Sequence, residues 1–275
     1  MSNDLIRLIR PRVSLAVAAG TLFGALYHGT GGLAPWFASA GAFLLCSGCS
    51  VLNQVQERDR DRRMERTMDR PLASGQMPVR RGGVLAVALA LAGLGLFFQT
   101  GGWPLLALGL GIVLVYNGIY TPLKPVTPLA LLAGGFAGAV PPLAGWLAVG
   151  GSAGDPRILS VTTIFYLWQV PHFWLLAEKH RRDYERAGFA LLHAALPEGF
   201  RHRLMGVWVG AYFVGLGCLA WLAGAGALRL VVPPGMMLVG GLAVGCAVTR
   251  RWRFASAAMH ASLPMGLLPL LMNGT

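Results

Sequence analysis

Charged side chains are scarce in this chain: Asp, Glu, Lys and Arg together make up 12% of its 275 residues, about half the share of an ordinary soluble domain. That shortage excludes a soluble globular body, whose surface needs more charge. Acidic residues are scarcer still, 11 against 23 Lys and Arg. Cysteine is limited to Cys46, Cys49, Cys218 and Cys246, positions that supply neither a disulfide framework nor a zinc pattern. Cys46 and Cys49 fall inside an apolar run, where a free thiol behaves as a small hydrophobe rather than as half of a redox pair. A cleavable secretory leader is not expected either. The first apolar run follows Arg7, Arg10 and Arg12 and lacks a small-residue cleavage site, so it is read as a retained helix.

What the chain has in abundance is apolar surface, with 55% hydrophobic residues and a mean hydropathy of +0.58. Runs of about 17–25 apolar residues can cross a bilayer as helices. Nine are present, at 13–29, 33–52, 83–99, 102–120, 126–150, 156–177, 204–224, 228–248 and 252–272. The fold class read from them is all-α, a polytopic membrane protein forming a single domain over 1–275. Gly20 and Gly24, and Gly134, Gly135 and Gly138, are small residues that let helices approach closely.

A net charge of +12 would suit a nucleic-acid partner if it were gathered on one surface. Instead the basic residues lie in loops between spans, which points to the lipid bilayer and to no nucleic acid. With the N-terminus in the cytoplasm, every Lys and Arg except Arg157 and Arg229 falls in a cytoplasmic segment. This partition follows the positive-inside rule and puts the C-terminus outside. Asp155 is the sole acidic residue on the outer side. Two cytoplasmic segments, 53–82 and 178–203, are long and charged, and the chemistry is sought where they meet.

In the first of these, Asn53, Glu57 and Asp61 recur at i, i+4 and i+8, so a helix continued through them carries all three on one face. Carboxylates and an amide carbonyl are hard oxygen donors of the kind Mg²⁺ takes together with water and substrate phosphate. The plain alternative is a solvated, salt-bridged helix end. In the second segment Lys179 and Asp183 stand four apart and are placed to pair with each other. His172 sits among Trp168, Phe173 and Trp174 at the end of a span, as either a hydrogen-bonded structural histidine or a functional one. Tyr116-Asn117-Gly-Ile-Tyr120-Thr121-Pro-Leu-Lys124 ends the fourth span at the same face. Its lone charge, Lys124, either marks orientation or reaches an anion.

These stretches resemble the UbiA superfamily of intramembrane prenyltransferases. The run Asn53…Glu57…Asp61, followed by Arg66-Thr67 and Arg70-Pro71-Leu72, is similar to the family's first acidic motif. Three further runs resemble its haem O synthase (protohaem IX farnesyltransferase) branch. They are Arg10-Pro11-Arg12-Val13, Gly134 to Trp146, and Trp168-Gln169-Val170-Pro171-His172-Phe173-Trp174 with Asp183-Tyr184 and Ala187-Gly188. The likeness spans residues 10 to about 190. It departs in having Glu57 where the family usually has Asp, Phe189-Ala-Leu-Leu-His193 where the branch usually reads Ile-Pro-Met-Leu-Pro, and a shortened 120–127 loop.

The resemblance implies nine helices around a central cavity in a bacterial cytoplasmic (inner) membrane. The activity it implies is transfer of a farnesyl group from farnesyl diphosphate to a vinyl group of haem b, a substrate rather than a cofactor. Asn53, Glu57, Asp61 and Asp183 would then hold Mg²⁺, and Arg66, Arg70 and Lys124 would bind diphosphate. Trp168, Phe173 and Tyr120 would shield an allylic cation, and His172 would lie on the haem side. A haem A synthase or an oxidase-assembly protein is the implied partner. Two competing expectations are a prenyltransferase of the same fold acting on a quinone precursor or other aromatic acceptor, and a non-catalytic transporter or haem-assembly protein. Transporters place polar groups at the bilayer midplane, whereas here the acids gather at one edge.

Overall fold

In lipid every backbone polar group must pair within the protein, so apolar runs of this kind become helices. The computed structural model describes residues 2–29, 31–223 and 226–272, and among them there is helix and no strand. In chain order the elements are α1 (Ser2–Ile9), α2 (Pro11–Tyr27), α3 (Ala34–Asp61), α4 (Val79–Val113), a π-helical turn (Leu114–Tyr120) and α5 (Thr121–Leu123). They continue with α6 (Ala130–Ala139), α7 (Pro141–Ala148), α8 (Pro156–Lys179), α9 (Arg181–Arg186) and α10 (Leu192–Ala195). The chain finishes with α11 (Glu198–Ala223), α12 (Gly226–Val248) and α13 (Trp252–Met272).

Six helical stretches among the described residues are long and apolar enough to cross a membrane. The expected 83–99 and 102–120 spans form one of them, Val79–Leu123, whose hydrogen bonding runs on past a break at Gly102 (φ 58°, ψ −148°). Only glycine adopts that backbone cheaply. The two limbs fold back on each other, because a Cβ on Gly109 would lie 2.7 Å from Leu94. Fifteen residues of straight helix would hold these positions about 22 Å apart. The expected 126–150 span is also divided, into α6 and α7 at Val140, since Pro141 and Pro142 lack the N–H groups that would continue α6. α2 has 17 residues, and α8 carries Gln169, His172, Glu178 and Lys179, so these two fall short in length or apolarity.

The small residues act as packing surfaces. α2 lies against α7 and α3, α3 against α4, and α6 against α8. A Cβ on Gly20 would meet Pro141 at 3.2 Å, and one on Gly134 would press into the Tyr120 ring at 2.8 Å.

The charged segments gather at one end. Arg7 Nη1 donates to the Asp69 carbonyl at 3.1 Å, and Arg186 pairs with Glu65 at 2.9 Å. At the other end Arg157 lies 4.8 Å over the Trp146 ring and pairs with Asp155. The side chain of Arg229 and residues 273–275 lie outside the described residues, and with them the expected places of the second outer arginine and of the C-terminus. The sequence reading missed α1. It is a short amphipathic helix held down by buried Leu8, whose carbonyl accepts from Gln54 Nε2 at 2.7 Å.

Candidate active site

α3 continues to Asp61 and carries its acidic face inward: Asn53 is 1% exposed, Glu57 5% and Asp61 1%. Each residue leaves one buried oxygen without a hydrogen bond, namely Asn53 Oδ1, Glu57 Oε1 and Asp61 Oδ1. Buried polar atoms are nearly always hydrogen-bonded, so three oxygens without a hydrogen bond on one helix face make a donor set suited to a cation.

The neighbouring elements orient this row. The π-helical turn turns Tyr116 and Tyr120 toward the cavity and places Asn117 against α3. Asn117 Nδ2 donates to the Cys49 carbonyl at 3.1 Å and to Gln56 Oε1 at 3.2 Å. The Asn53 amide N–H donates to Thr121 Oγ1 at 3.1 Å, which leaves its carbonyl oxygen facing away from that partner. The Thr121 hydroxyl donates in turn to the Tyr116 carbonyl at 2.8 Å.

Cations stand on both carboxylates. Lys124 Nζ donates to Glu57 Oε2 at 3.1 Å and stands in an ion pair 2.9 Å from Oε1. The same ammonium stands 4.5 Å over the Tyr120 ring. Arg70 Nη1 donates to Asp61 Oδ2 at 2.7 Å. Burial and the neighbouring Arg10 charge push Arg70 down to about 10, against the opposing pull of Asp61. It therefore keeps its charge at neutral pH. Arg66 is held more loosely, 3.5 Å from the Tyr184 hydroxyl.

Asp183 does not join the row. Its Oδ1 accepts from the Glu65 backbone N–H at 3.2 Å and from Arg186 at 2.6 Å, and it is not on the cavity wall. Desolvation pushes its carboxyl up, but these donors outweigh it and hold the group below the usual carboxylate range. The expected Lys179–Asp183 pair is absent as well. α8 stops at Lys179 and His180 is non-helical (φ −111°, ψ 29°), so the i, i+4 relation is lost.

One cavity of about 1340 Å³ joins these groups. Its polar end holds the oxygen row with Arg10, Arg66, Arg70 and Lys124, while its side toward α8 and α13 is aromatic. There His172 stacks on Trp168 at 4.6 Å and meets His260 edge-on at 5.0 Å. Phe173 stacks on Tyr120 at 6.0 Å, and the Trp168 indole N–H is satisfied by the Met259 carbonyl at 3.0 Å.

Among the described residues no three His, Cys, Asp or Glu side chains converge on a metal-sized site. The expected four-residue set therefore does not close around one ion. From Asn53 to Asp61 the row runs about 12 Å along the helix, too far for a single Mg²⁺ with bonds of about 2 Å. It fits ions that each take one or two of these oxygens and fill their shells with water and phosphate oxygens.

Sequence reasoning missed Arg10, Thr121 and His260. Arg10 belonged to a recognised run, but its left-handed backbone (φ 47°), which turns the chain between α1 and α2, has no local signal. His260 is a lone histidine in an apolar helix.

Residues 16–267 match the UbiA prenyltransferase family. The chain is 46% identical over 214 residues to protoheme IX farnesyltransferase of Nitratidesulfovibrio vulgaris, covering 77% of this chain and 74% of that protein. It is 44% identical over 219 residues to the protein of the same name from Geobacter sulfurreducens, covering 76% and 77%. A solved UbiA homologue from Archaeoglobus fulgidus, bound to DMAPP and Mg²⁺, superposes with a TM-score of 0.73 at 13% identity over 98% of both chains, a likeness of fold. This chain belongs to the UbiA prenyltransferase family.

Proposed function

We propose that this chain is a farnesyltransferase that joins the farnesyl group of farnesyl diphosphate to a vinyl group of haem b, forming haem O with Mg²⁺. The observation that carries the reading is the row of buried oxygens without hydrogen bonds on Asn53, Glu57 and Asp61 at the polar end of a large apolar cavity. The relatives at 44–46% identity carry the name of this reaction.

In the reaction the allylic C–O bond breaks and its electron pair leaves with the diphosphate. The terminal vinyl carbon of haem b then bonds to the farnesyl cation. Water adds to the inner carbon and loses a proton, giving the hydroxyethylfarnesyl side chain. Bound Mg²⁺ would supply positive charge that stabilises the leaving diphosphate.

The residues divide the remaining work. Without substrate, Lys124 and Arg70 neutralise Glu57 and Asp61; with diphosphate present, the same cations are within side-chain reach of its oxygens. Arg10 and Arg66, both close enough to Arg70 to repel its charge, add positive charge at the same end of the cavity. Donors fixed in a low-dielectric site stabilise developing charge without reorganising. Tyr120 and Phe173 present stacked ring faces beside Lys124, where an allylic cation would form. Trp168, His172 and His260 form the acceptor side. Asp183 serves as a positioning residue that pins the loop carrying Arg66 and Arg70 to α9.

The same reading has nine membrane crossings in a single domain over 1–275: α2, α3, both limbs of α4, α6–α7 together, α8, α11, α12 and α13. The acidic end faces the cytoplasm in a bacterial cytoplasmic membrane, and a haem A synthase or oxidase-assembly protein receives the product. Purified protein given farnesyl diphosphate, Mg²⁺ and haem b should yield a porphyrin heavier by a farnesyl group and a hydroxyl in the mass spectrum. Unchanged haem, with prenyl transfer to a quinone precursor instead, would overturn the acceptor assignment.

A further inference from the structure

Away from the polar end the cavity lining stops at one level on two helices, and the depth of that level can be read along both. On α3 the wall residues run from Asn53 through Cys49 and Cys46 to Ala42, and Ala38, one turn deeper, is buried and off the wall. The helical rise puts Ala42 about 16 Å below Asn53. On α2 the wall runs from Arg10, beside Arg70, to Thr21, and Ala25 is buried and off the wall. That helix also measures about 16 Å between the two levels.

Phe97 and a backbone contact close the bottom. Phe97 is 1% exposed and lines the cavity. Its ring is wedged so that a Cβ on Gly41 would lie 2.9 Å from it and one on Gly109 3.0 Å. Gly145 of α7 packs directly on the Thr21 carbonyl, with no room for a side chain between them. Backbone against backbone cannot yield as a flexible side chain would, so this floor is stiff.

An extended prenyl chain adds four C–C bonds of about 1.5 Å per unit, roughly 5 Å each time. Three units then need about 15 Å and four about 20 Å. We propose that the floor formed by Ala42, Phe97 and Thr21 sets the length of the donor, accepting three isoprene units and refusing a fourth. The inference rests on the reading that a prenyl diphosphate binds with its head at the Asn53–Asp61 row and its allylic carbon level with Asn53, the end of the row nearest the floor.

The full chain in lipid nanodiscs with Mg²⁺ and no haem would be titrated with diphosphates carrying one, two, three and four isoprene units. Farnesyl diphosphate should bind at least about tenfold tighter than the four-unit chain, because forcing an extra unit into a packed floor costs as overpacking does. Phe97→Ala should bring the four-unit chain to within about threefold of farnesyl by removing that overpacking. Ala42→Leu should weaken farnesyl about tenfold by the same steric cost and leave the one- and two-unit chains, which stop short of the floor, unchanged. If Phe97→Ala does not fold, Ala42→Leu decides alone. Equal binding of three and four units by the unsubstituted chain, or an unchanged ratio in the variants, overturns the floor and leaves the donor reading standing. Failure to bind even the one-unit diphosphate overturns both.

Discussion

Replacing Asp61 by Asn separates the fold from the chemistry, because the two carboxylate oxygens have different work. Oδ2 accepts from Arg70 at 2.7 Å, and Oδ1 is buried with no partner. An asparagine can keep its carbonyl oxygen on Arg70, exchanging a charge-assisted hydrogen bond for a neutral acceptor. That exchange costs about 1–2 kcal/mol, and the helix, the Thr67 hydroxyl bond to the Asp61 carbonyl at 2.9 Å and the packing stay in place. The amide NH₂ then points where Oδ1 had been, so the cavity gains a donor where a cation needs an acceptor. Loss of a group that stabilises the leaving charge costs about 100- to 1000-fold in turnover. Asp61→Asn should therefore fold, unfold at a slightly lower temperature, and show at most about 1% of wild-type farnesyl transfer, with Mg²⁺ dependence displaced to higher concentration. Thermal unfolding followed by intrinsic fluorescence, together with haem mass spectrometry across a Mg²⁺ series, reads both effects. Wild-type turnover at limiting Mg²⁺ would refute the reasoning, and so would a variant that fails to fold.

Cysteines introduced singly in the 53–82 and 178–203 segments should label from the same side of sealed vesicles, since Arg186 pairs with Glu65; labelling from opposite sides would contradict this. His172→Ala should lower haem affinity by roughly tenfold, as loss of a central aromatic contact does, while farnesyl diphosphate binding is kept. Haem binding indistinguishable from wild type would remove His172 from the acceptor side. Because Asp183 is held below the usual carboxylate range by the Glu65 N–H and Arg186, its stabilisation is fully present above roughly pH 4 and is lost as pH falls through the lowered value. Hydrogen exchange at the Glu65 amide, taken relative to its intrinsic rate at each pH, should stay slow down to that range and accelerate below it. Acceleration beginning near pH 6 would contradict the sign.

The sequence by itself determined the helical class, most of the helix positions and the sharing of one face of α3 by Asn53, Glu57 and Asp61, while burial of that face came from the structure. Each is a local property. A membrane span is set by apolar length, and the Asn53–Glu57–Asp61 face by the helix period. Motif spacing also sufficed to mark the family. The tertiary structure decided the rest: that Lys124 serves Glu57 from 67 residues away, that Thr121 orients Asn53 from 68, and that Asp183 turns to Glu65 rather than to the row. It also brought Arg10, Phe97 and His260 to a common cavity and gave that cavity its depth. Such pairings arise where distant segments are packed together, and no period within a single helix encodes which partner a buried charge will meet or where two backbones will touch.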